Sequence, residues 1–244
     1  MKRKIIGAMV LLALFANVNC QDKKSSNKGT EPEATSKVKT SDSTDAERRA
    51  AENEKLKKKL GPIIQSQAEL IPFLTEYGKN NPEQRVRLKT TMGNIELYLY
   101  NDTPLHRANF IMLVKQDYFN NTLMHRVAEG FVIQGGDADG YETPRKRFKI
   151  GDYLIPNEAK DKYPHVRGVL SAAKFSEQNV SAASSPFEFF IVQAGRGAHH
   201  LDGKHTVFGK VTKGLDVVDN INKVAVDQSE WPIKNIYIDM ELME

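Results

Sequence analysis

His125-Arg126-Val127-Ala128-Glu129-Gly130-Phe131-Val132-Ile133-Gln134-Gly135-Gly136-Asp137 is the stretch on which the reading of this chain turns. It closes one strand-like run, Thr122–Val127, and contains a second, Phe131–Gln134, while Gly135-Gly136 supplies a tight backbone bend rather than a ligand site. The same texture repeats outward. Val86 and Leu88 alternate with Arg85, Arg87 and Lys89, and Ile95, Leu97 and Leu99 alternate with Glu96, Tyr98 and Tyr100, the period-two pattern of half-buried strands. Thr90-Thr91-Met92-Gly93-Asn94 between them reads as a hairpin loop with Gly93 at the turn. Further runs fall at Gly168–Ala173, Phe187–Gln193 and Thr206–Val211, and Ile236, Ile238, Met240 and Leu242 alternate through a last strand. Thr103 as N-cap and Pro104 at the first helical position open a helix of about thirteen residues that turns Leu105, Ala108 and Met112 to a core. A second helix falls near Leu215–Asn222. Eight short strands with two isolated helices predict a mainly β fold, a closed eight-stranded antiparallel β-barrel capped by two helices, over residues 81–244.

The segment before that domain carries an address. Lys2-Arg3-Lys4, the apolar run Ile5–Ala16 broken only by Gly7, and polar Asn17 and Asn19 read as a secretory signal, too short for the roughly 20 residues of a membrane span. Cys20, the one cysteine of the chain, stands where the apolar run ends and Gln21-Asp22-Lys23-Lys24 begins. This resembles the lipobox of bacterial lipoproteins, although Asn17-Val18-Asn19 replace the small residues usual there; the alternatives are an ordinary signal peptide leaving a free Cys, or a cleavage nearby. The resemblance implies a signal peptide over 1–20, an acylated Cys20, and anchorage in a bacterial cell envelope facing the periplasm or the exterior. Residues 21–44 are Ser, Thr, Lys, Asp, Glu and Pro with Val38 as the only large apolar side chain, so a disordered tether is expected. Asp45–Leu60 reads as a polar, solvated helix with Glu54 and Lys58 paired at i,i+4. Pro62 opens a second short helix with Ile64, Ala68 and Ile71 on one face until Pro72 interrupts it, completing a helical extension over 45–80.

Composition excludes several function classes. One cysteine among 244 residues rules out a disulfide framework and multi-thiolate metal sites. The formal charge of +4 is an artefact of the signal: without Lys2, Arg3 and Lys4, 32 basic residues face 31 acidic ones. With no aromatic–basic stripe either, nucleic-acid binding has no support. There is no G-x-S-x-G, no H-E-x-x-H and no phosphate-binding glycine loop. Asp137-Ala138-Asp139-Gly140 begins like a calcium loop, but its glycine comes at position 4 and no glutamate closes it. His199-His200 and His205 lack the spacing of a metal pair. Neither metal nor cofactor is expected.

Longer strings are more specific. The opening stretch, with Gly168-Val169-Leu170-Ser171-Ala172-Ala173, Glu188-Phe189-Phe190-Ile191 and Leu201-Asp202-Gly203-Lys204-His205-Thr206-Val207-Phe208-Gly209-Lys210-Val211, resembles the cyclophilins in content and order from Arg85 to Glu244. The resemblance implies a peptidyl-prolyl cis–trans isomerase acting on proline-containing polypeptides; with so polar a helix at 45–60, a monomer is expected. On it, Arg126 matches the catalytic arginine and Gln134 the glutamine that orients it. Phe131, Phe190 and Leu201 match the proline-ring pocket, with Val132 where a methionine is commoner. His205 matches the histidine bordering that pocket, and Ala173 and Lys174 the strand edge that meets substrate backbone. Three departures stand out. Glu188 replaces a common glutamine and is expected at the substrate groove, near Arg126. His200 occupies a position often held by tryptophan and is expected, with Glu188, among the substrate-binding residues. The loop Phe175–Pro186 differs from the usual glycine- and asparagine-rich turn.

The chemistry suits such a site without metal, nucleophile or cofactor. Rotation about an X-Pro amide meets a barrier of about 18–20 kcal/mol from partial double-bond character. In the twisted amide the prolyl nitrogen gains a lone pair, and a fixed cation donating to it beside an apolar ring pocket lowers that barrier. Two other readings remain open: a module that binds proline segments without turnover, and an envelope structural protein assembled through the 45–60 helix.

Overall fold

The computed structural model describes residues 62–175 and 181–244. The expected signal, lipidated Cys20, tether and 45–60 helix lie outside the described residues, as do residues 176–180 of the Phe175–Pro186 loop. Among the described residues the elements run α1 (Gln67–Asn80), β1 (Arg85–Thr90), β2 (Gly93–Leu99), α2 (Pro104–Lys115), β3 (Thr122–Leu123), β4 (Arg126–Ala128), β5 (Val132–Gly135), α3 (Glu142–Ile150), β6 (Val169–Ala172), β7 (Phe189–Val192), a 3₁₀ turn (His199–Leu201), β8 (Val207–Lys213), α4 (Leu215–Ile221) and β9 (Tyr237–Leu242).

The nine strands form one curled antiparallel sheet in the order β3-β9-β1-β2-β8-β6-β7-β5-β4. Strands β3 and β4 stand at the two ends of this ladder order, and an isolated bridge between Leu123 and Asp137 joins β3 to the segment after β5, where a closed eight-stranded ring was expected. The cause is the run Thr122–Val127, which splits. Its first half, β3, pairs with β9, its second half, β4, pairs with β5, and Met124-His125 cross between the two ends. Leu123 donates to the Asp137 carbonyl at 2.8 Å and Met124 to that of Ile236 at 2.9 Å, so the crossing is pinned from both sides. The β1–β2 hairpin is tighter than expected: Thr90 pairs with Gly93, leaving a two-residue turn. Gly93 has φ 135°, and a Cβ there would meet Val217 of α4 at 2.8 Å.

Inside the curl, Val86, Leu88, Ile95, Leu97, Ile133, Leu170, Ile191 and Phe208 form the core against α2. Every residue of α2 from His106 to Val114 is buried, because one side meets the sheet and the other meets α1. Phe110 carries the sheet side, its ring 5.0 to 5.9 Å from those of Phe119, Phe189 and Phe208.

Two elements depart from the periodicity. Helix α1 begins at Gln67 and holds Pro72 in its interior; it buries Leu70, Leu74 and Gly78, and leaves Ile71 half exposed. Proline removes a main-chain donor, but its lost partner is the Ala68 carbonyl on the exposed first turn, where water can replace it. Helix α3 was not expected, since Glu142-Thr143-Pro144-Arg145-Lys146-Arg147-Phe148-Lys149-Ile150 buries only Thr143 and Ile150.

Strands β6 and β7 are buried at every position. Their inner side chains join the main core. Their outer ones form a second cluster of Ala128, Val132, Val169, Ala173, Phe190, Val192, Ala194, Ala198 and Val207, with Phe131 and Leu201 packed on it. Each Val or Phe so covered contributes roughly 1.5–3 kcal/mol. This outer cluster is the floor of the candidate site.

Candidate active site

Register places the site. Arg126 faces Gln134, Gln134 faces Phe190, and Phe190 faces Ser171 across β4, β5, β7 and β6. Residues opposed in an antiparallel ladder share a face, so a cation, an amide, an aromatic ring and a hydroxyl line up on the outer surface. Asn222, capping α4, fastens the β4–β5 turn by donating to the Ala128 carbonyl at 2.9 Å and accepting from the Gly130 amide at 2.7 Å. Phe131, leaving that turn, is held by its carbonyl, which accepts from Gln193 and Ala194 at 2.8 and 3.0 Å.

Arg126, Phe131, Val132, Gln134, Ala173, Lys174, Phe190, Leu201 and His205 enclose a cavity of about 190 Å³. Glu188 and His200, both expected among the substrate-binding residues, are outside this lining. The exposed His200 stacks on Phe131, ring centroids 5.5 Å apart. Ala173 offers its methyl group; its amide donates to the Glu188 carbonyl and its carbonyl accepts from Ser185, so both main-chain groups already have partners.

The polar wall is a chain of contacts. Arg126 Nε donates to Glu230 Oε2 at 2.7 Å and Nη1 to Gln134 Oε1 at 3.4 Å. Gln134 Nε2 donates in turn to Glu188 Oε2 at 3.1 Å. The expected proximity of Glu188 to Arg126 therefore takes another form: Glu188 pairs with Arg147 of α3 at 3.2 Å, stands 3.6 Å from His125, and touches Arg126 only through Gln134. Arg147 reaches from the helix that the sequence did not announce, also meeting Asp137 and the Tyr118 hydroxyl. Burial alone raises the Glu188 pKa, but His125, Arg147 and Gln134 outweigh it and hold the carboxyl below its ordinary value.

The apolar wall has its own support. His205 Nδ1 lies 3.1 Å from the Ala172 carbonyl and its ring meets the edge of Phe190 at 5.5 Å. Burial lowers its pKa, aided by the Lys174 cation, so the ring is neutral near pH 7 and serves packing and hydrogen bonding. Behind Phe190 stands His165, stacked on it at 6.0 Å, bound to Asp202 at 2.8 Å and to Ser171 Oγ at 3.0 Å. His125, Arg147, His165, Asp202 and Glu230 escaped the sequence reading as site residues. Two stood inside the quoted strings, His125 beside Arg126 and Asp202 within Leu201–Val211; Arg147, His165 and Glu230 approach from other segments. Among the described residues no three His, Cys, Asp or Glu side chains gather into a metal-binding group.

The geometry is a donor of fixed direction at the rim of a small apolar cavity, suited to a ring and its flanking amide. Comparison with known proteins agrees. Residues 85–241 match the family model described as cyclophilin type peptidyl-prolyl cis-trans isomerase. A peptidyl-prolyl cis-trans isomerase of Acinetobacter baylyi is 43% identical over 143 residues, covering 57% of this chain and 72% of the relative. Peptidyl-prolyl cis-trans isomerase-like 2 of Rhizopus delemar is 39% identical over 164 residues, covering 66% of this chain, which spans only 29% of that protein. A crystal structure of a Cryptosporidium parvum cyclophilin type isomerase, determined in the presence of the dipeptide Ala-Pro, superposes with a TM-score of 0.56 at 28% identity, over 66% of this chain and 99% of the other. The curled sheet, the outer pocket and these matches together place the chain in the cyclophilin-type peptidyl-prolyl cis–trans isomerase family.

Proposed function

We propose that this chain accelerates X-Pro rotation in polypeptides folding in a bacterial cell envelope, with Arg126 as the reacting cation and a lipid on Cys20 as the anchor. The observation that carries the catalytic part is the placement of the Arg126 guanidinium at the rim of the Phe131–Phe190–Leu201 cavity. The proline ring enters that cavity. Arg126 donates to the prolyl nitrogen as the amide twists, a contact unavailable in the planar ground state, where the nitrogen lone pair is delocalised. Such differential binding raises the rate without any bond being broken. Gln134 and Lys174 border the flanking backbone, and His205 closes the pocket as a neutral ring.

The test is cis–trans exchange of a short Ala-Pro peptide, followed by NMR with the full chain and with Arg126→Ala. Loss of one preorganised donor predicts a fall in kcat of about 10²-fold or more. Unaltered exchange in the variant removes Arg126 from the mechanism. Peptide shifts without accelerated exchange in the native chain would instead identify a binding module.

A further inference from the structure

We propose that Glu230 is a positioning residue for catalysis, setting the direction of the Arg126 guanidinium; this rests on the reading of Arg126 as the reacting cation. An arginine side chain is long and freely rotating, so a fixed donor needs more than a place on a strand. Arg126 opens the three-residue strand β4 at one end of the sheet, and its side chain is 36% exposed. Packing does not immobilise it. Two contacts do, and they differ: the one to Gln134 is long at 3.4 Å, whereas Glu230 grips Nε at 2.7 Å. Charge-assisted bonds of that length are the stronger class. Gripping Nε holds the guanidinium from its stem side, and among the described residues Nη2 has no acceptor. Among these residues Glu230 is also the only carboxylate paired with Arg126, since Glu188 is taken by Arg147 and His125.

The loop that carries Glu230 is built to hold it there. Asp227 donates its amide to the Trp231 carbonyl at 2.8 Å, and its Oδ1 accepts from the amides of Ser229 and Trp231 at 2.8 and 2.9 Å. The Glu230 amide donates to the Asp227 carbonyl, and the Glu230 carbonyl accepts from Val127, the residue after Arg126, at 2.8 Å. Trp231 lies against the His125 ring, on the other side of Arg126 in sequence. Glu230 itself has φ 63°, in the left-handed region that favours glycine. A strained residue whose side chain meets the reacting cation points to a role for the side chain, because glycine would satisfy the backbone better.

That strain supplies the test. Glu230→Gly removes the carboxylate while relaxing the backbone, and Glu230→Gln keeps an acceptor for Nε without the charge. With the full chain and the Ala-Pro peptide, Glu230→Gly should keep or raise Tm yet lower kcat by about tenfold, since a 1 Å misplacement can cost 10²-fold. KM should stay within about twofold, the mark of an interaction realised only in the transition state. Glu230→Gln should recover most of the loss. The Arg126 Nε–H resonance, sharp in the native chain, should exchange rapidly in Glu230→Gly, a readout independent of turnover and of Tm. Native kcat in Glu230→Gly with Arg126→Ala inactive overturns the role of Glu230 alone, as does a faster Glu230→Gly enzyme or an unchanged Nε–H signal. Native kcat in Arg126→Ala overturns the reading of Arg126, and the role of Glu230 with it.

Discussion

Gln134 has one orientation open to it. Its carboxylate neighbour Glu188 only accepts, so Nε2 must face Glu188 and Oε1 is left for Arg126. Arg126 only donates, which by itself requires Oε1 on its side, so the two neighbours fix the amide in the same orientation. Ionisation at the residue scale also sets how acid acts on the fold. His165 and His205 have pKa values lowered chiefly by burial. Their unfolded forms take up protons as pH falls through about 6.5 and their folded forms only at lower pH, so their stabilisation is full above that pH and is lost as pH falls below it. Glu188 and Asp202 are lowered as well. Burial opposes this in both, but the amide and ring of His165, helped by His199, bring Asp202 to about 2. Their stabilisation is present above the ordinary carboxylate range and lost below it. Tm followed by circular dichroism should therefore be level from pH 8 to 7, fall as pH drops below about 6.5, and fall further below about pH 4. A Tm that rises from pH 7 to 5 contradicts this account. Of these residues, Arg126, Gln134, Phe131, Phe190 and His205 stand inside strings long enough to be legible. Glu230 was not, because it meets Arg126 across 104 residues and nothing local marks it as a partner.

At the scale of elements, the instructive piece lies just before the family-matched region. Residues 62–66 run as a strap onto α3: Ile63 donates to the Lys149 carbonyl and Ile64 to that of Ile150, both at 2.9 Å, and Ile64 is buried. The approach is possible because Gly151 ends α3 at φ 128°. A Cβ there would lie 2.1 Å from the Ile64 carbonyl oxygen. Gly151→Ala thus meets both a left-handed backbone and a main-chain clash. It should cost about 2 kcal/mol or more, lowering Tm by roughly 4–8 °C in a domain of this size. Hydrogen exchange should speed up at the Ile63 and Ile64 amides, and native exchange there with native Tm would refute the strap. Strand periodicity was legible for β1, β2 and β9, whose two faces differ in polarity. It misled at Thr122–Val127, where one apolar run serves two ladder partners, and at α1, where tertiary contact with α2 chose Leu70, Leu74 and Gly78 over Ala68 and Ile71. Helix α3 gave no signal because it buries almost nothing of its own.

For the whole molecule, the curled sheet separates two tasks. Its inner face holds the main core, and its outer face carries a smaller cluster on which the site rests, so the pocket can be reshaped without emptying the core. The proposed anchor belongs to this scale. Acyl chains on Cys20, at roughly 0.8 kcal/mol per buried CH₂, would hold the isomerase at a membrane surface. In the native host the chain should then fractionate with membranes and carry added mass, and Cys20→Ser should lose both; unchanged mass and solubility in Cys20→Ser refute the anchor. The sequence by itself determined the mainly β class and the residues that line the apolar pocket, Arg126 among them, because alternation, turn residues and contiguous strings are encoded within a few positions. Only the tertiary structure decided where the ladder ends, which helix face is buried, and which carboxylates hold Arg126 and Gln134. Those outcomes depend on segments that meet only once the chain has folded, and residue type alone does not say which of 31 acidic side chains will arrive.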